Sequence, residues 1–426
     1  KLTIQNFGGG AVSTTYGVYL IYVETASVDN NIINNAGSGG TAHGSTFYCI
    51  FFSSGVSGDI SASGNTMTIT NTGASSSSYY IYNINACNTE TYNNNTFAQG
   101  AVGFGTGSTY FVYTSNATPN KTISGNSTSG SITKTGGSIY CIYNAGGPTS
   151  GAQTITNNTF SNISITGTTS STMYGIYSNT AAAQSNVMSN NTMSNISSTS
   201  TGSFYCFYSL LTVPNQVNNN TAFNITHAGS LYGIYLSGTA TAYDNSFYNS
   251  TSSGSIYGGY ISGGTVDFYE NNIYGLTTTT ASTSIIDGIY TSSPTLANIY
   301  NNFVSDLNAP ASTSTTAGVA GIYLSGGTTV NLYYNTVYLK YTSTVASNQS
   351  TTLYIGSTTP SAVNMNNNIF VNNVDVTVGT RAMAIRKGGT GLTNLMGVNN
   401  NLYYAGTPSA TNVIFYDGTN TDQTSV

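Results

Sequence analysis

Residues 265–276 read TVDFYENNIYGL, and this order of an apolar segment, an asparagine pair and a second apolar segment returns along the whole chain. The second residue of the pair, here Asn272, has counterparts at intervals of 25 to 34 residues. The thirteen positions are Asn31, Asn65, Asn95, Asn126, Asn158, Asn191, Asn220, Asn245, Asn272, Asn302, Asn335, Asn368 and Asn401. A repeat of this length is typical of a solenoid, in which each unit buries its apolar face against its neighbours.

A tetrapeptide similar to Tyr-Gly-Ile-Tyr is the second landmark of the repeat, and residues 232–235 are one example. It begins at Tyr16, Tyr48, Tyr79, Tyr110, Tyr140, Tyr174, Tyr205, Tyr232, Tyr257, Asp287 and Ala320. Its spacing follows that of the asparagines, so both belong to one unit. Each unit therefore contains three short segments rich in strand-forming Tyr, Ile, Val and Thr, separated by turn-forming Ser, Gly and Asn.

Helical repeats are the competing interpretation, and the sequence opposes them. No window has the i, i+3, i+4, i+7 apolar pattern of an amphipathic helix, and 48 glycines and abundant Thr disfavour helix. Three strands per coil, stacked in parallel, predict an all-β fold, a parallel β-helix of about 13 coils of about 31 residues. We expect a single β-helix domain over residues 1–426.

The recurrent asparagine predicts a ladder of side chains at one corner of each coil. Asparagine tolerates the left-handed backbone conformation that a tight corner needs. Side-chain amides stacked about 4.8 Å apart can hydrogen-bond from coil to coil, which pairs polar groups that burial would otherwise leave unsatisfied. We expect all thirteen asparagines to point inward in one column.

Several stretches resemble a known family. Residues 231–250 (LYGIYLSGTATAYDNSFYNS), 157–164 (NNTFSNIS) and 265–276 resemble the right-handed parallel β-helix repeats of pectate-lyase-like proteins. Their combination of YGIYLSG with a following asparagine pair is similar to the repeats of large cell-surface proteins of Bacteroidota exported by the type IX secretion system. Residues 400–426 resemble the end of such a β-helix, where the chain normally continues into further domains. The resemblance implies right-handed winding and an excerpt of a longer surface protein, but lyases, hydrolases, adhesins and stalks share this repeat.

Charged side chains are scarce: seven basic and twelve acidic residues among 426, with none from Thr135 to Tyr243. A basic footprint for nucleic acid is missing, and no apolar run approaches the roughly 20 residues that span a membrane. We interpret the one basic cluster, Arg381, Arg386 and Lys387, as a solvated face. Because the chain opens on strand-like residues without a signal peptide, we interpret it as a mature or internal piece.

The repeat register argues against disulfides and metal sites. Cys49, Cys141 and Cys206 all occupy the second position of the tyrosine motif, in coils two, five and seven. Residues two coils apart lie about 10 Å apart, whereas a disulfide needs Cα atoms within about 7 Å. We therefore expect these three and Cys87 to be free thiols. The only histidines are some six coils apart, so we expect no metal and no cofactor.

Acid–base cleavage of a polysaccharide needs clustered carboxylates, so the few acidic residues are the only candidates for catalysis. The candidates Asp267, Glu270, Asp287 and Asp306 fall in adjacent coils. Asp287 replaces the first tyrosine of the motif. A catalytic pair is conceivable if Asp267 and Asp287 share a groove. We expect instead isolated, solvated residues beside turns, and no basic residue accompanies them to stabilise an anionic substrate.

Tyrosine is the other candidate for function, since the chain has 35 tyrosines and no tryptophan. The fourth position of the motif is aromatic in all eleven copies, and adjacent strand residues point to opposite faces. If the third-position Ile and Val form the core, these rings lie on the outer wall. They either stiffen the solenoid by stacking or form a sugar-binding or lateral-packing surface. The binding candidates are Tyr177, Tyr208, Tyr235, Tyr260, Tyr290 and Tyr323.

These observations favour a non-enzymatic structural or adhesive protein that is secreted or displayed at the cell surface, as a stiff stalk or fibre subunit. The alternative is a carbohydrate-active enzyme, a polysaccharide hydrolase or lyase, or a carbohydrate-binding β-helix. Neither end of the sequence has a helix-forming or charged cap, and exposed strand edges template pairing with other chains. We therefore expect partners that are further copies or neighbouring surface subunits, and glycans are a further candidate.

Overall fold

A computed structural model describes residues 1–8, 10, 13–36, 42–147, 150–180, 185–211, 215–346, 348–376, 380–419 and 421–422. All the regular secondary structure in these residues consists of β-strands. Three parallel sheets form a β-solenoid of about 13 turns of roughly 31 residues, which confirms the predicted all-β parallel fold. The right-handed winding stays a prediction. The chain forms two compact units: unit 1 is residues 1–216 and 226–228, and unit 2 is residues 217–225 and 229–426.

Unit 1 is built from short strands, three in most turns. They are β1 (Thr3–Gln5), β2 (Thr15–Leu20), β3 (Ala26–Ser27), β4 (Ile32–Asn34), β5 (Phe47–Phe52), β6 (Asp59–Ser61), β7 (Thr66–Ile69), β8 (Ser78–Asn83), β9 (Thr89–Asn93), β10 (Thr96–Gln99), β11 (Thr109–Thr114), β12 (Asn120–Ser124), β13 (Ser127–Ser129), β14 (Ile132–Lys134), β15 (Ile139–Asn144), β16 (Ala152–Thr156), β17 (Thr159–Ile165), β18 (Met173–Thr180), β19 (Ser185–Ser189), β20 (Thr192–Ser198) and β21 (Phe204–Leu211). Sheet A has the order β1-β4-β7-β10-β13-β17-β20, with β14 also paired to β17. Sheet B has the order β2-β5-β8-β11-β15-β18-β21, and sheet C has the order β3-β6-β9-β12-β16-β19.

Two strands, β22 (Asn215–Asn218) and β23 (Thr221–His227), contain residues of both units. Unit 2 continues with β24 (Leu231–Gly238), β25 (Ala240–Tyr243), β26 (Ser246–Ser252), β27 (Ile256–Ile261), β28 (Thr265–Tyr269), β29 (Asn272–Thr278), β30 (Ile286–Thr291), β31 (Leu296–Tyr300), β32 (Phe303–Asn308), β33 (Val319–Leu324), β34 (Thr329–Tyr333), β35 (Thr336–Leu339), β36 (Gln349–Ile355), β37 (Ala362–Asn366), β38 (Ile369–Asn372), β39 (Arg381–Lys387), β40 (Leu395–Asn399), β41 (Leu402–Tyr404), β42 (Asn412–Tyr416) and β43 (Thr421–Asp422). Here sheet A is β26-β29-β32-β35-β38-β41, sheet B is β24-β27-β30-β33-β36-β39-β42-β43 and sheet C is β25-β28-β31-β34-β37-β40. The last pair, β42 with β43, is antiparallel.

The strands of sheet B carry the tyrosine motif and depart from strict alternation. In β11, Phe111 and Val112 are both buried, while Tyr110 and Tyr113 lie half-buried on the outer face. The pairing omits Phe111 and its counterparts in both neighbouring strands, while the register stays constant from Tyr110 to Val112. The first and fourth positions of the motif therefore share the outer face, and the second and third positions form the core.

The asparagine column is present in each unit. In unit 1 each side-chain amide from Asn31 to Asn158 donates to the Oδ1 of the next asparagine, at 2.9–3.2 Å, and in unit 2 the same bonds run from Asn220 to Asn401 at 2.8–3.0 Å. The same Oδ1 atoms also accept backbone N–H groups, as Asn158 Oδ1 does from Asn126 N at 3.0 Å. The column thus pairs both amide and backbone polar groups inside the coil.

The residue before each ladder asparagine adopts the left-handed conformation, rather than the asparagine itself. Asn94 (φ 54°), Gly125 (φ 67°) and Glu270 (φ 56°) are examples. The prediction that Asn272 is the ladder asparagine of its turn was wrong. Because Glu270 takes the left-handed position, the ladder residue is Asn271, which is buried and bonded to its neighbours, whereas Asn272 begins β29 and is exposed.

A second buried column in unit 1 contains charged side chains. Glu90 and Lys121 are neighbours in sheet C, both fully buried, with 3.6 Å between Lys121 Nζ and Glu90 Oε1. Lys121 Nζ also donates to Thr114 Oγ1 and Asn144 Oδ1, both at 2.9 Å. Thr114 Oγ1 in turn donates to Glu90 Oε2 at 2.7 Å. Burial lowers the pKa of Lys121, and the adjacent Glu90 opposes that shift.

Amide side chains extend this polar column along unit 1. Asn144 Nδ2 donates to Gln153 Oε1 at 2.7 Å, Gln153 Nε2 to Asn186 Oδ1 at 2.6 Å, and Asn186 Nδ2 to Asn215 Oδ1 at 2.6 Å. In unit 2 the same inward position of sheet C is apolar. Its residues are Ala240, Val266, Ala297, Val330 and Val363.

The interpretation of Arg381, Arg386 and Lys387 as a solvated face was wrong. Lys387 is buried, and its Nζ donates to the carbonyls of residues 356 and 357. Burial lowers the pKa of Lys387. The two arginines are half-buried, and each places its Cζ over a tyrosine ring, at 4.4 Å and 5.2 Å from the centroids. Stacking on aromatic rings, rather than hydration, therefore accounts for their position.

The four cysteines, Cys49, Cys87, Cys141 and Cys206, are free and buried, as the repeat register predicts. Burial raises the pKa of each thiol, that of Cys87 to about 12. They are therefore protonated at neutral pH and pack as small apolar groups.

We expect Asn158→Ala to lower the free energy of unfolding by about 2–4 kcal/mol, because it leaves several buried polar groups unpaired. The wild-type amide donates to Asn191 Oδ1 at 2.9 Å and to the Ile123 carbonyl at 3.0 Å. Urea denaturation followed by circular dichroism measures the change. Thr159→Ala is the control, since Thr159 is exposed, and should change the value by less than about 0.5 kcal/mol. Equal effects of the two substitutions would contradict the structural role of the ladder.

We expect Glu90→Val alone to destabilise the protein by about 3–5 kcal/mol, because it leaves the buried Lys121 without its counter-charge. The double variant Glu90→Val/Lys121→Val should lose less, since unit 2 has apolar residues at this position. Denaturation of Glu90→Val, Lys121→Val and the double variant gives the coupling energy, which is the change in the double variant minus the sum of the two single changes. Glu24→Val, at an exposed glutamate, is the control for loss of one carboxylate. Additive effects of the two substitutions would show that the pair is not coupled.

Candidate functional site

Two columns of aromatic rings cover the outer face of sheet B in unit 1, and we refer to them as the tyrosine wall. The first column is Tyr16, Tyr48, Tyr79, Tyr110, Tyr140, Tyr174 and Tyr205, and the second is Tyr19, Phe51, Tyr82, Tyr113, Tyr143, Tyr177 and Tyr208. Rings of the first column stack with centroids 4.5–5.6 Å apart and interplanar angles of 3–17°. From Tyr82 onward the second column stacks in the same way, at 4.6–5.4 Å.

The two columns meet edge to face. Tyr110 and Tyr113, in one strand, have centroids 5.3 Å apart and an interplanar angle of 86°, and the equivalent pair Tyr174 and Tyr177 has 4.9 Å and 71°. Both faces of an interior ring such as Tyr110 are covered by rings of adjacent turns, so ring edges and hydroxyls face the solvent. This geometry favours contact with another surface over stacking of a sugar on a ring face.

Burial favours the neutral form of the Tyr82 and Tyr143 hydroxyls in the tyrosine wall. Burial, together with the hydroxyls of neighbouring tyrosines, raises the pKa of Tyr82 and of Tyr143 to about 12. A row of neutral hydroxyls can donate and accept hydrogen bonds without the large desolvation penalty of charged groups.

In unit 2 the same face of sheet B is interrupted. The predicted binding residues Tyr235, Tyr260 and Tyr290 stack at 4.8 Å, but Tyr323 meets Tyr290 edge-on, at 5.2 Å and 85°. The first column contains only Tyr232 and Tyr257 before smaller residues follow. These are Asp287, Ala320 and Thr351, in register with the tyrosines.

Asp287 lies at this interruption and is buried, so the expectation that it is solvated was wrong. Asp287 lines a recess of about 240 Å³ together with Ser314, Thr316 and Ala317 of the loop before β33 and with Tyr323 and Tyr354. Only 1% of Asp287 is exposed, and its Oδ2 has no hydrogen-bond partner in the described part of the chain. Burial raises its pKa well above the usual range.

The structure does not bring the three candidate carboxylates together. Asp267 is in β28 of sheet C, Asp287 in β30 of sheet B and Asp306 in β32 of sheet A. Asp267 accepts a hydrogen bond from Asn298 Nδ2 at 2.7 Å, and Asp306 is exposed and accepts one from Ser305 Oγ at 3.1 Å. Because the three side chains occupy three different sheets, they form no catalytic pair of the kind that glycoside hydrolysis requires.

Within the described residues, no group of three or more His, Cys, Asp and Glu side chains could hold a metal ion. Over the same residues, no helix has the length and apolar character to cross a membrane. Comparisons with protein-family models, with curated proteins and with solved structures found no match.

We expect Asp287→Asn to raise stability at pH 7 by about 1 kcal/mol or more and to flatten its pH dependence. The unfolded chain releases this proton near the ordinary pKa of about 3.9, while the folded chain retains it to higher pH, because burial raises the pKa of Asp287. Above about pH 4 the unfolded state therefore binds fewer protons, and wild-type stability should fall relative to the variant as pH rises. Denaturation midpoints between pH 4 and 8 measure this difference.

Asp306→Asn is the control for that measurement, because it removes an exposed carboxyl of the same unit. Its stability should run parallel to wild type over the whole pH range. If the Asp287→Asn difference were independent of pH, the carboxyl would not be held protonated by the fold.

Proposed function

We propose that this chain is a non-enzymatic extracellular structural or adhesive protein, a stiff stalk or fibre subunit of a cell surface. The tyrosine wall of unit 1 is the observation that supports this role. It presents ring edges and neutral hydroxyls over seven turns of sheet B, and no charged residue occurs from Thr135 to Tyr243. Such a surface can pack against a neighbouring subunit with little charge to desolvate.

The chemistry of the wall suits lateral contact. Tyrosines supply large contact areas at a low cost in side-chain entropy and are enriched at protein interfaces. The edge-to-face pairs hold each ring in place before any partner arrives. A partner would therefore order few side chains on binding, which favours association.

We also propose that the coils wind right-handed, as in pectate-lyase-like repeats, and that the chain is related to the surface proteins of Bacteroidota that it resembles. The alternative, a polysaccharide hydrolase or lyase, draws on one observation. Asp287 has the raised pKa of a general acid and lines a recess. A glycosidase needs a second carboxylate nearby, and Asp267 and Asp306 lie on other sheets. We therefore place enzymatic activity second.

We expect the wild-type protein to self-associate through the tyrosine wall. The double variant Tyr113→Glu/Tyr177→Glu should not associate, because the contact would have to desolvate the two introduced carboxylates. Sedimentation velocity over a range of concentrations measures association, and negative-stain electron microscopy shows whether the particles join side by side. The wild-type sedimentation coefficient should rise with concentration, whereas that of the variant should stay constant.

Thr91→Glu/Thr154→Glu is the matched control, because it adds the same two charges, also two turns apart, to half-buried positions on the outer face of sheet C. It should associate like wild type. A wild-type protein that stays a monodisperse monomer at high concentration would contradict the proposal. So would equal effects of the two double variants.

A further inference from the structure

The outer face of sheet C in unit 2 carries a polar column beside an aromatic one. The polar column is Thr241, Asp267, Asn298, Asn331 and Asn364, and the aromatic column, two residues further along each strand, is Tyr243, Tyr269, Tyr300 and Tyr333. All are half-buried. In unit 1 the same two positions carry mainly short side chains, such as Thr91, Thr122, Ser124, Thr154 and Thr156. The face of unit 2 is therefore chemically distinct.

The polar column is a directed chain of hydrogen bonds that ends on a carboxylate. Asn364 Nδ2 donates to Asn331 Oδ1 at 2.8 Å, Asn331 Nδ2 to Asn298 Oδ1 at 2.7 Å, and Asn298 Nδ2 to Asp267 Oδ1 at 2.7 Å. Because every amide donates in the same direction, the chain polarises toward Asp267. Each asparagine retains a second N–H, and Asp267 retains a second oxygen, with which to meet a ligand.

The aromatic column breaks beside this carboxylate. Tyr243, Tyr269 and Tyr300 stack at 5.1 Å and 4.6 Å, with interplanar angles of 5° and 7°. Tyr333 is the register partner of Tyr300, yet in the described part of the chain no ring stacks on that side of Tyr300. An open cavity of about 390 Å³ lies there, lined by Asp267, Asn298, Tyr300, Asn301, Tyr333 and Tyr334. We refer to this cavity as the Tyr300 slot.

The backbone helps to open the slot. Tyr334 occupies the left-handed corner position (φ 57°) that asparagine or glycine takes in most turns, and this directs its ring into solvent, where it is 60% exposed. A bulky residue rarely adopts this conformation, so the corner holds it at an energetic cost. A cavity lined by aromatic rings, with a few polar groups beside them, is typical of a ligand site.

We propose that the Tyr300 slot binds a neutral pyranose residue of a glycan, with the apolar ring face on Tyr300 and the hydroxyls on Asp267, Asn298 and Asn301. The inference does not depend on the tyrosine wall, which lies on another sheet and in the other unit. It makes one face of unit 2 an adhesive site for sugars.

The groups around the slot select the ligand class. A purely aromatic ligand would stack on Tyr300 but leave the rim of carboxylate and amides without partners, whereas sugar hydroxyls can satisfy both. Asp267, and Glu270 at the corner of the same turn, disfavour a uronate or another anion. A pyranose ring is about as long as one turn is high, so successive sugars of a chain could follow the polar column.

Binding can be tested by titrating the full chain with neutral hexasaccharides derived from cellulose, chitin, mannan, xylan and laminarin, and with oligogalacturonate as the anionic comparison. Saturation-transfer NMR detects the bound sugar, and isothermal calorimetry gives the affinity. We expect at least one neutral oligosaccharide to bind, and Tyr300→Leu and Asp267→Ala each to weaken it about tenfold or more. Tyr300→Phe should keep most of the affinity, because the ring face is retained.

Tyr248→Leu is the matched control, since Tyr248 is a stacked outer tyrosine on sheet A of the same unit. It should bind like wild type. Circular dichroism identifies any variant that fails to fold. If Tyr300→Leu does not fold, the proposal is still tested by Asp267→Ala, which should weaken binding, and by Tyr300→Phe, which should not. Absence of binding by every neutral oligosaccharide, preference for oligogalacturonate, or undiminished binding in both Tyr300→Leu and Asp267→Ala would overturn the proposal. Loss of self-association in the tyrosine-wall variants would not affect this result.

Discussion

The hydrogen bond from one ladder asparagine to the next sets the geometry of every turn. Each Oδ1 accepts both the side-chain amide and the backbone N–H of the asparagine in the adjacent turn, as Asn158 does from Asn126 at 2.9 Å and 3.0 Å. These two bonds fix the height and the register of the corner at the same time. Loops elsewhere can then vary in length without shifting the strands, because each turn is realigned at its asparagine.

Because the register is fixed, equivalent residues of successive turns stack into columns. Where identical residues follow one another, as in the tyrosine wall, each side chain is satisfied by its two neighbours and little of its binding capacity remains. The exceptions arise where a column changes residue type or geometry. Tyr300 has an open face where its stack breaks, and Asp287 has an unpaired oxygen where a tyrosine column ends. In such a fold, groups that are available to bind a ligand lie where a column is interrupted.

The sequence alone predicts the features that depend on the repeat and misses those that depend on departures from it. The strand positions, the asparagine column and the free thiols follow from spacing. The shift from Asn272 to Asn271 does not, because Glu270 gives no signal of a left-handed backbone. Asp287 is buried and shares a recess with Ser314, Thr316 and Ala317 of the following turn, and the repeat spacing gives no signal of this surrounding.

The buried pair of Glu90 and Lys121 had no sequence signal either, since a charged residue in a Thr-rich strand is ordinarily solvated. Its position explains why it is tolerated. The corner between sheets B and C offers Thr114 and Asn144 as additional partners, so both charges are hydrogen-bonded as well as paired. Unit 2 replaces this column with alanine and valine and instead carries its carboxylate and amides on the outer face. The same ladder of asparagines therefore supports either arrangement, and this leaves the remaining faces free to acquire different surface chemistry.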